Sequence, residues 1–157
     1  MSRGFTMAEM MAVLAVIAIL SLMAIPSVQE KLVRDQINEA LPLADVAKPS
    51  IAAMWATSQA FPKSNDEAGL PAADKIVSNY VGALQVQGGA IHLTLGNNVN
   101  STLKGKTLTL RPAVVTDTPI VPVAWVCGYA NVPDKMTAVG ENRTNIPQAL
   151  LPLRCRP

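Results

Sequence analysis

The residue whose position most clearly suggests chemistry is Glu9, a carboxylate inside a long apolar segment. Between Thr6 and Gln29 it is the only ionisable side chain. A carboxylate at the centre of a membrane span costs about 2.5 to 3.5 kcal/mol on insertion scales, so Glu9 requires a partner of opposite charge. Cleavage between Gly4 and Phe5 would create an α-amino group at Phe5. The ammonium of a neighbouring parallel chain could then pair with Glu9 in an environment where an unpaired charge is costly.

The remaining residues do not form a pattern typical of an enzyme. His92 is the only histidine, so Ser/His/Asp and Cys/His catalytic sets and the common histidine or cysteine metal motifs are missing. The segment from Lys104 to Thr107 ends like a phosphate-binding loop. However, the glycine required five residues before Gly105 is replaced by Asn100. We therefore expect no enzymatic activity, no metal and no cofactor.

The elements that must position Glu9 begin with a membrane-length helix. The chain has 157 residues, about one domain, and its formal charge of +2 does not by itself indicate a nucleic-acid partner. Residues 5–25 would rise about 31 Å as a helix, close to the thickness of the bilayer's hydrocarbon core. A conventional secretory signal cleaved at Ala24 is an alternative. Against it, Leu22 is large for the position two residues before such a cleavage site.

The segment RGFTMAEMMAVLAVIAILSLMAIPSVQ resembles the class III signal sequence and N-terminal helix of type IV prepilins. Gly4, Phe5, Glu9 and Pro26 match the family pattern, whereas the Met-Ala pair before the acid differs from the common Leu-Ile. The resemblance implies cleavage after Gly4 by a prepilin peptidase and N-methylation of Phe5. It also implies that the helix packs in a filament core, where Glu9 pairs with the Phe5 amine of a neighbour.

The same resemblance implies three segments and a route through the membrane. Residues 1–4 would be a leader peptide, residues 5–27 the membrane-spanning and filament-core half of the helix, and residues 28–157 a globular domain. The basic leader should remain cytoplasmic. The protein would cross the inner membrane once before assembly and lie in an extracellular pilus afterwards. Its partners would be further copies of itself in a helical filament, the prepilin peptidase, the inner membrane and the pilus assembly machinery.

Beyond the span, the sequence predicts an amphipathic continuation of the helix. Pro26 should kink it, because proline lacks an N–H and clashes with the preceding turn. Apolar residues then recur with a helical period, which predicts a helix that ends near Ser58. Pro42 and Pro49 lie off this stripe and are each able to bend it, and Trp55 is expected in the core. The stripe consists of Val33, Ile37, Ala40, Ala44, Ala47, Ile51 and Met54.

The second half of the chain predicts a sheet. Short β-like runs cover residues 76–86, 91–95, 108–115 and 122–127, and Gly, Asn and Pro separate them. Residues 61–73 read as a connecting loop that could cover a sheet edge. We expect an α+β pilin fold, in which the long N-terminal helix packs on a three- or four-stranded antiparallel sheet and a disulfide closes a C-terminal loop.

The two cysteines are Cys127 and Cys155. Free buried thiols are one possibility. Export into an oxidising compartment, which the resemblance implies, instead favours a disulfide between them. The segment that they enclose resembles the C-terminal disulfide loop of type IVa pilins. Such a bridge would tie down the end of the chain.

These features favour a structural subunit of a type IV pilus that polymerises through its hydrophobic helix and serves adhesion, motility or DNA uptake. Two alternatives stay open. One is a DNA-binding minor pilin of competence, because bases exceed acids by one between Cys127 and Cys155 and by two with Arg156. That excess is small for a phosphate-binding surface, and DNA is not the favoured partner. The other alternative is a pseudopilin of a type II secretion system.

Overall fold

The computed structural model describes residues 4–157, and of residues 24–27 it describes only the backbone. Its contacts divide the chain into two compact units, Met1–Leu32 and Val33–Pro157. In the first unit, the helix that begins at Met7 is long and apolar enough to cross a membrane. The described apolar side chains of this unit are exposed in the isolated chain. The kink expected at Pro26 falls on a residue whose side chain is not described, and it stays a prediction.

The helical region extends to Ser58, as predicted, but it consists of three segments. Helix α1 covers Met7–Ala40, a 3-10 helix covers Leu41–Val46, and helix α2 covers Lys48–Ser58. Pro42 and Pro49 each lie in the first turn of a new segment. Because the N–H groups of a first turn have no helical partner, proline costs little there. The two prolines therefore change the type of helix and mark where it restarts.

The sheet is antiparallel, as predicted. Its strands are β1 Val81–Gln87, β2 Ala90–Leu95, β3 Thr107–Val114, β4 Ala124–Cys127 and β5 Thr137–Ala138. The first four lie in the order β1-β2-β3-β4, and β5, a two-residue strand that the sequence did not reveal, pairs with the end of β3. The first strand begins later than predicted. Residues 76–80 are irregular, and the Ser78 N–H donates to the Val81 carbonyl at 2.9 Å.

The core lies between the apolar stripe of the helical region and one face of the sheet. From Val33 to Ile51 the predicted stripe is buried, and so is Trp55, whose ring stacks on Phe61 with the centroids 4.9 Å apart. Met54 is only half-buried, because Trp55 occupies the inward position at this end. From β2, the side chains of Ile91, Leu93 and Leu95 are buried in the core.

The loop between α2 and the sheet covers the free edge of β1, as the sequence suggested. Asn65 accepts a hydrogen bond from the Val86 N–H at 2.6 Å and donates one to the Leu84 carbonyl at 2.9 Å. Its side chain thereby replaces part of a neighbouring strand. An edge that is satisfied in this way is protected from pairing with another chain.

A disulfide joins Cys127 to Cys155, with an S–S distance of 2.02 Å. Residues 138–145 of the enclosed loop, here called the C-terminal strap, run from β5 to the side of β3. Gly140 has a φ of +91°, and a Cβ there would lie 2.7 Å from the Ala90 Cβ, so only glycine fits this approach. At the other end of the strap, the Thr107 N–H donates to the Asn145 side-chain oxygen at 2.7 Å.

Candidate functional site

The first turn of α1 holds the Glu9 carboxylate in a defined position. Both the backbone N–H and the hydroxyl of Thr6 donate to Glu9 Oε2, each at 2.8 Å. In return, the Glu9 N–H donates to Thr6 Oγ1 at 3.3 Å. This reciprocal arrangement is a capping box, which satisfies N–H groups that a helix otherwise leaves unpaired. An acidic group at this end also interacts favourably with the helix dipole.

The capping box engages only one of the two oxygens of the Glu9 carboxylate. Within the described residues, its second carboxylate oxygen, Oε1, makes no hydrogen bond. Gly4 and Phe5 precede the helix, and both are exposed, with Phe5 77% accessible. The peptide bond between them is therefore outside regular structure and exposed in the isolated chain. Sequence reasoning selected Gly4, Phe5 and Glu9 but missed Thr6, although the Thr-x-x-Glu spacing is itself a signature of a capping box.

His92, the histidine of β2, is buried between the sheet and the C-terminal strap. It is 3% exposed, and its Nδ1 lies 2.9 Å from Thr109 Oγ1. Thr109 Oγ1 also accepts from the Arg143 N–H at 3.0 Å, and the direction of its bond to His92 Nδ1 depends on the tautomer of the ring. The other ring nitrogen, Nε2, is buried and has no hydrogen-bond partner in the described part of the chain.

The surroundings of His92 favour its neutral form. Burial is the main cause that lowers the pKa of His92 to about 4, and the positive charge of Arg143 adds to it, whereas Glu141 acts in the opposite direction. Glu141 and Arg143 also form an ion pair at 2.9 Å. Through Thr109, this histidine is linked to the strap. Among the described residues, no three His, Cys, Asp or Glu side chains converge to hold a metal ion.

Comparisons with known proteins agree with this arrangement. The family model described as Pilin (bacterial filament) matches residues 33–156, and the prokaryotic N-terminal methylation motif matches residues 1–25. A fimbrial protein of Neisseria meningitidis serogroup B is 30% identical over 145 residues, which cover 92% of this chain and 83% of the relative. A type IV major pilin protein of Neisseria gonorrhoeae, PilE1, is 31% identical over 163 residues, which cover 99% of this chain and 88% of that relative.

A membrane-length helix, an antiparallel sheet behind its amphipathic continuation and a disulfide-closed C-terminus together define the subunit of a bacterial filament. The chain belongs to the pilin family, and it is a type IV pilin, a structural subunit of a pilus. The matched relatives are named as fimbrial proteins and major pilins. They do not favour either alternative, the DNA-binding minor pilin or the pseudopilin.

Proposed function

We propose that this pilin is made as a precursor that a prepilin peptidase cleaves after Gly4 and N-methylates at Phe5. The match to the N-terminal methylation motif supports this step, and so does the exposed, non-helical position of the Gly4–Phe5 bond. Residues 5–27 then hold the subunit in the inner membrane as a single span, with residues 28–157 on the periplasmic side. Pro26 loosens the helix near the boundary between these segments.

Assembly moves the subunit from the membrane into a helical homopolymer, and Glu9 selects the contact between neighbours. The observation that carries this proposal is the capping box, because Thr6 fixes Glu9 at the start of the helix and engages only Oε2. Cleavage supplies a positively charged Phe5 amine at the same level. The amine of an adjacent subunit approaches Oε1, and the two charges neutralise each other in an apolar core where either alone is costly.

The experiment that tests the proposal is intact-mass and N-terminal fragment analysis of the protein from its native host. Material sheared from the cell surface is compared with the membrane fraction. We expect the sheared protein to begin at an N-methylated Phe5. A chain that begins at Ile25, or one that retains Met1, would contradict both the cleavage and the use of the Phe5 amine in assembly.

A further inference from the structure

The loop between β3 and β4 presents an apolar side chain in a pre-organised form. Ile120 is 88% exposed, and it lies between Pro119 and Pro122 in the chain. Two backbone hydrogen bonds close successive turns in residues 115–122, here called the knob loop: Thr118 N–H to the Val115 carbonyl at 3.3 Å and Val121 N–H to the Thr118 carbonyl at 3.2 Å. Because its prolines and turns already restrict the loop, little conformational entropy is lost when it binds a partner.

The knob loop also carries one charge. Asp117 is exposed, and its φ of 62° places it in the left-handed region. Its carboxylate has no ion pair or hydrogen bond within the described residues. The loop therefore offers an isoleucine side chain accompanied by a single negative charge, a combination that fits an apolar pocket with a basic border.

A pocket of this kind lies beside the disulfide of the same globular unit. Its volume is about 200 Å³, and its apolar lining includes Leu41, Leu110 and Trp125. Its charged lining consists of one acid and two bases, Asp45, Lys48 and Arg154, and is therefore net positive by one.

The charges of the pocket leave one base without an acidic partner. Lys48 forms an ion pair with Asp45 at 2.7 Å and lies 5.9 Å from the centroid of the Trp125 ring. Arg154 is exposed, and within the described chain its side chain hydrogen bonds only to the neutral Asn38 Oδ1, at 3.3 Å. A carboxylate from outside would thus find an uncompensated guanidinium at the pocket.

We propose that the knob loop of one subunit inserts Ile120 into this pocket of a neighbouring subunit, with Asp117 facing Arg154. The inference rests on the filament function. In a helical polymer each contact joins two different surfaces of the same chain, so every subunit must carry both a knob and its complement. A cavity of about 150 Å³ is large enough to hold a benzene molecule, so a pocket of about 200 Å³ accommodates an isoleucine side chain. The opposite charges set the orientation of the contact.

Site-specific photo-crosslinking in assembled filaments tests this contact directly. The full chain carries the photoreactive amino acid p-benzoylphenylalanine at position 120 or, as a control, at position 132. Val132 is also an exposed apolar residue, but it lies in the C-terminal loop. We expect dimers from position 120 whose crosslinked peptide contains Lys48 or Trp125 of a second copy. Crosslinks that map elsewhere on the pilin, or to another protein, would overturn the proposal.

Exchanging the charges of Asp117 and Arg154 tests the proposed contact independently. Asp117→Lys and Arg154→Glu should each lower the amount of sheared pili roughly tenfold, whereas the double variant should recover to within about twofold of the unmodified chain. Ile120→Asp should lower the amount of sheared pili as much as the single charge variants do, whereas Val132→Asp should not. Single reversals without effect, or a double variant that does not recover, would refute the contact. If the unmodified chain forms no filaments, the filament function itself fails; if filaments form without these effects, only the knob contact fails.

Discussion

Acid should destabilise this pilin through His92, and the size of the effect follows from its burial. The pKa of His92 is about 4 in the folded chain, against 6.5 for an unperturbed histidine. Between these values the unfolded chain binds a proton that the folded chain excludes, so the free energy of unfolding falls as the pH falls. The contribution is complete above about pH 6.5 and lost below about pH 4. Its total is about 3 kcal/mol, of which about 2.5 kcal/mol is lost by pH 4.5.

The hydrogen bonds around His92 indicate which part of the structure loses stability when the ring is protonated. Protonation makes both ring nitrogens donors, and the buried Nε2 has no acceptor among the described residues. Nδ1 would then donate to Thr109 Oγ1. Thr109 Oγ1 also receives the Arg143 N–H of the C-terminal strap. The imidazolium would in addition lie near the positive charge of Arg143, with Glu141 compensating only in part. We therefore expect the strap to loosen before the rest of the sheet.

The assay is urea unfolding of the full, oxidised chain in detergent micelles, followed by tryptophan fluorescence at pH 7.5 and 4.5. His92→Asn is the matched variant, because an asparagine side-chain oxygen can accept from Thr109 but does not titrate in this range. Between the two pH values the variant should lose about 2.5 kcal/mol less stability than the unmodified chain. The carboxylates titrate in both proteins and cancel in this difference. Equal losses would refute the assignment of acid sensitivity to His92.

Three further predictions concern assembly, the sheet edge and the disulfide. Glu9→Ala should leave cleavage and N-methylation intact by mass spectrometry but impair piliation; normal pili would disprove the charge pairing. Asn65→Ala should lower the free energy of unfolding by about 2 to 3 kcal/mol, since buried backbone groups of β1 lose their partners. It should also promote aggregation in light scattering, and unchanged values for both would contradict the edge-capping role. The paired change of Cys127 and Cys155 to Ser should cost about 3.5 kcal/mol in denaturant unfolding, and a cost below about 1 kcal/mol would contradict the view that the bridge restrains the unfolded loop.

The helical half of the fold could be predicted because its signals are local. The stripe from Val33 to Ile51 repeats with the period of a helix, and it is buried where that period places it. The strand start at residue 76 was wrong for a related reason. Ile76 is buried, as a strand residue would be, but it lies in a bend at the C-terminal end of a short 3-10 helix. An apolar residue indicates burial and does not by itself indicate the backbone conformation that produces it.

The functional residues likewise include some that the sequence points to and some that it does not. Gly4, Phe5 and Glu9 could be proposed from their order and from the family resemblance, because a cleavage motif and a charge in an apolar segment are properties of neighbouring residues; their roles stay predictions. Thr6 was equally accessible, since a capping box spans only four positions. The roles of Asn65 and His92 could not be read in this manner. Each depends on partners far away in the chain, which become neighbours only when the sheet has formed.

The sequence by itself determined a membrane-length helix with one acid, its amphipathic continuation to Ser58, an antiparallel sheet and a cysteine pair suited to an exported protein. Only the tertiary structure decided that the strap crosses to Thr109 and buries His92. It also decided that Asn65 completes the edge of β1 and that a pocket opens beside Trp125. The physical reason is the sequence separation of the interacting residues. Periodicity and capping act within a few residues, whereas burial, pKa shifts and cavities arise from atoms that distant segments bring together.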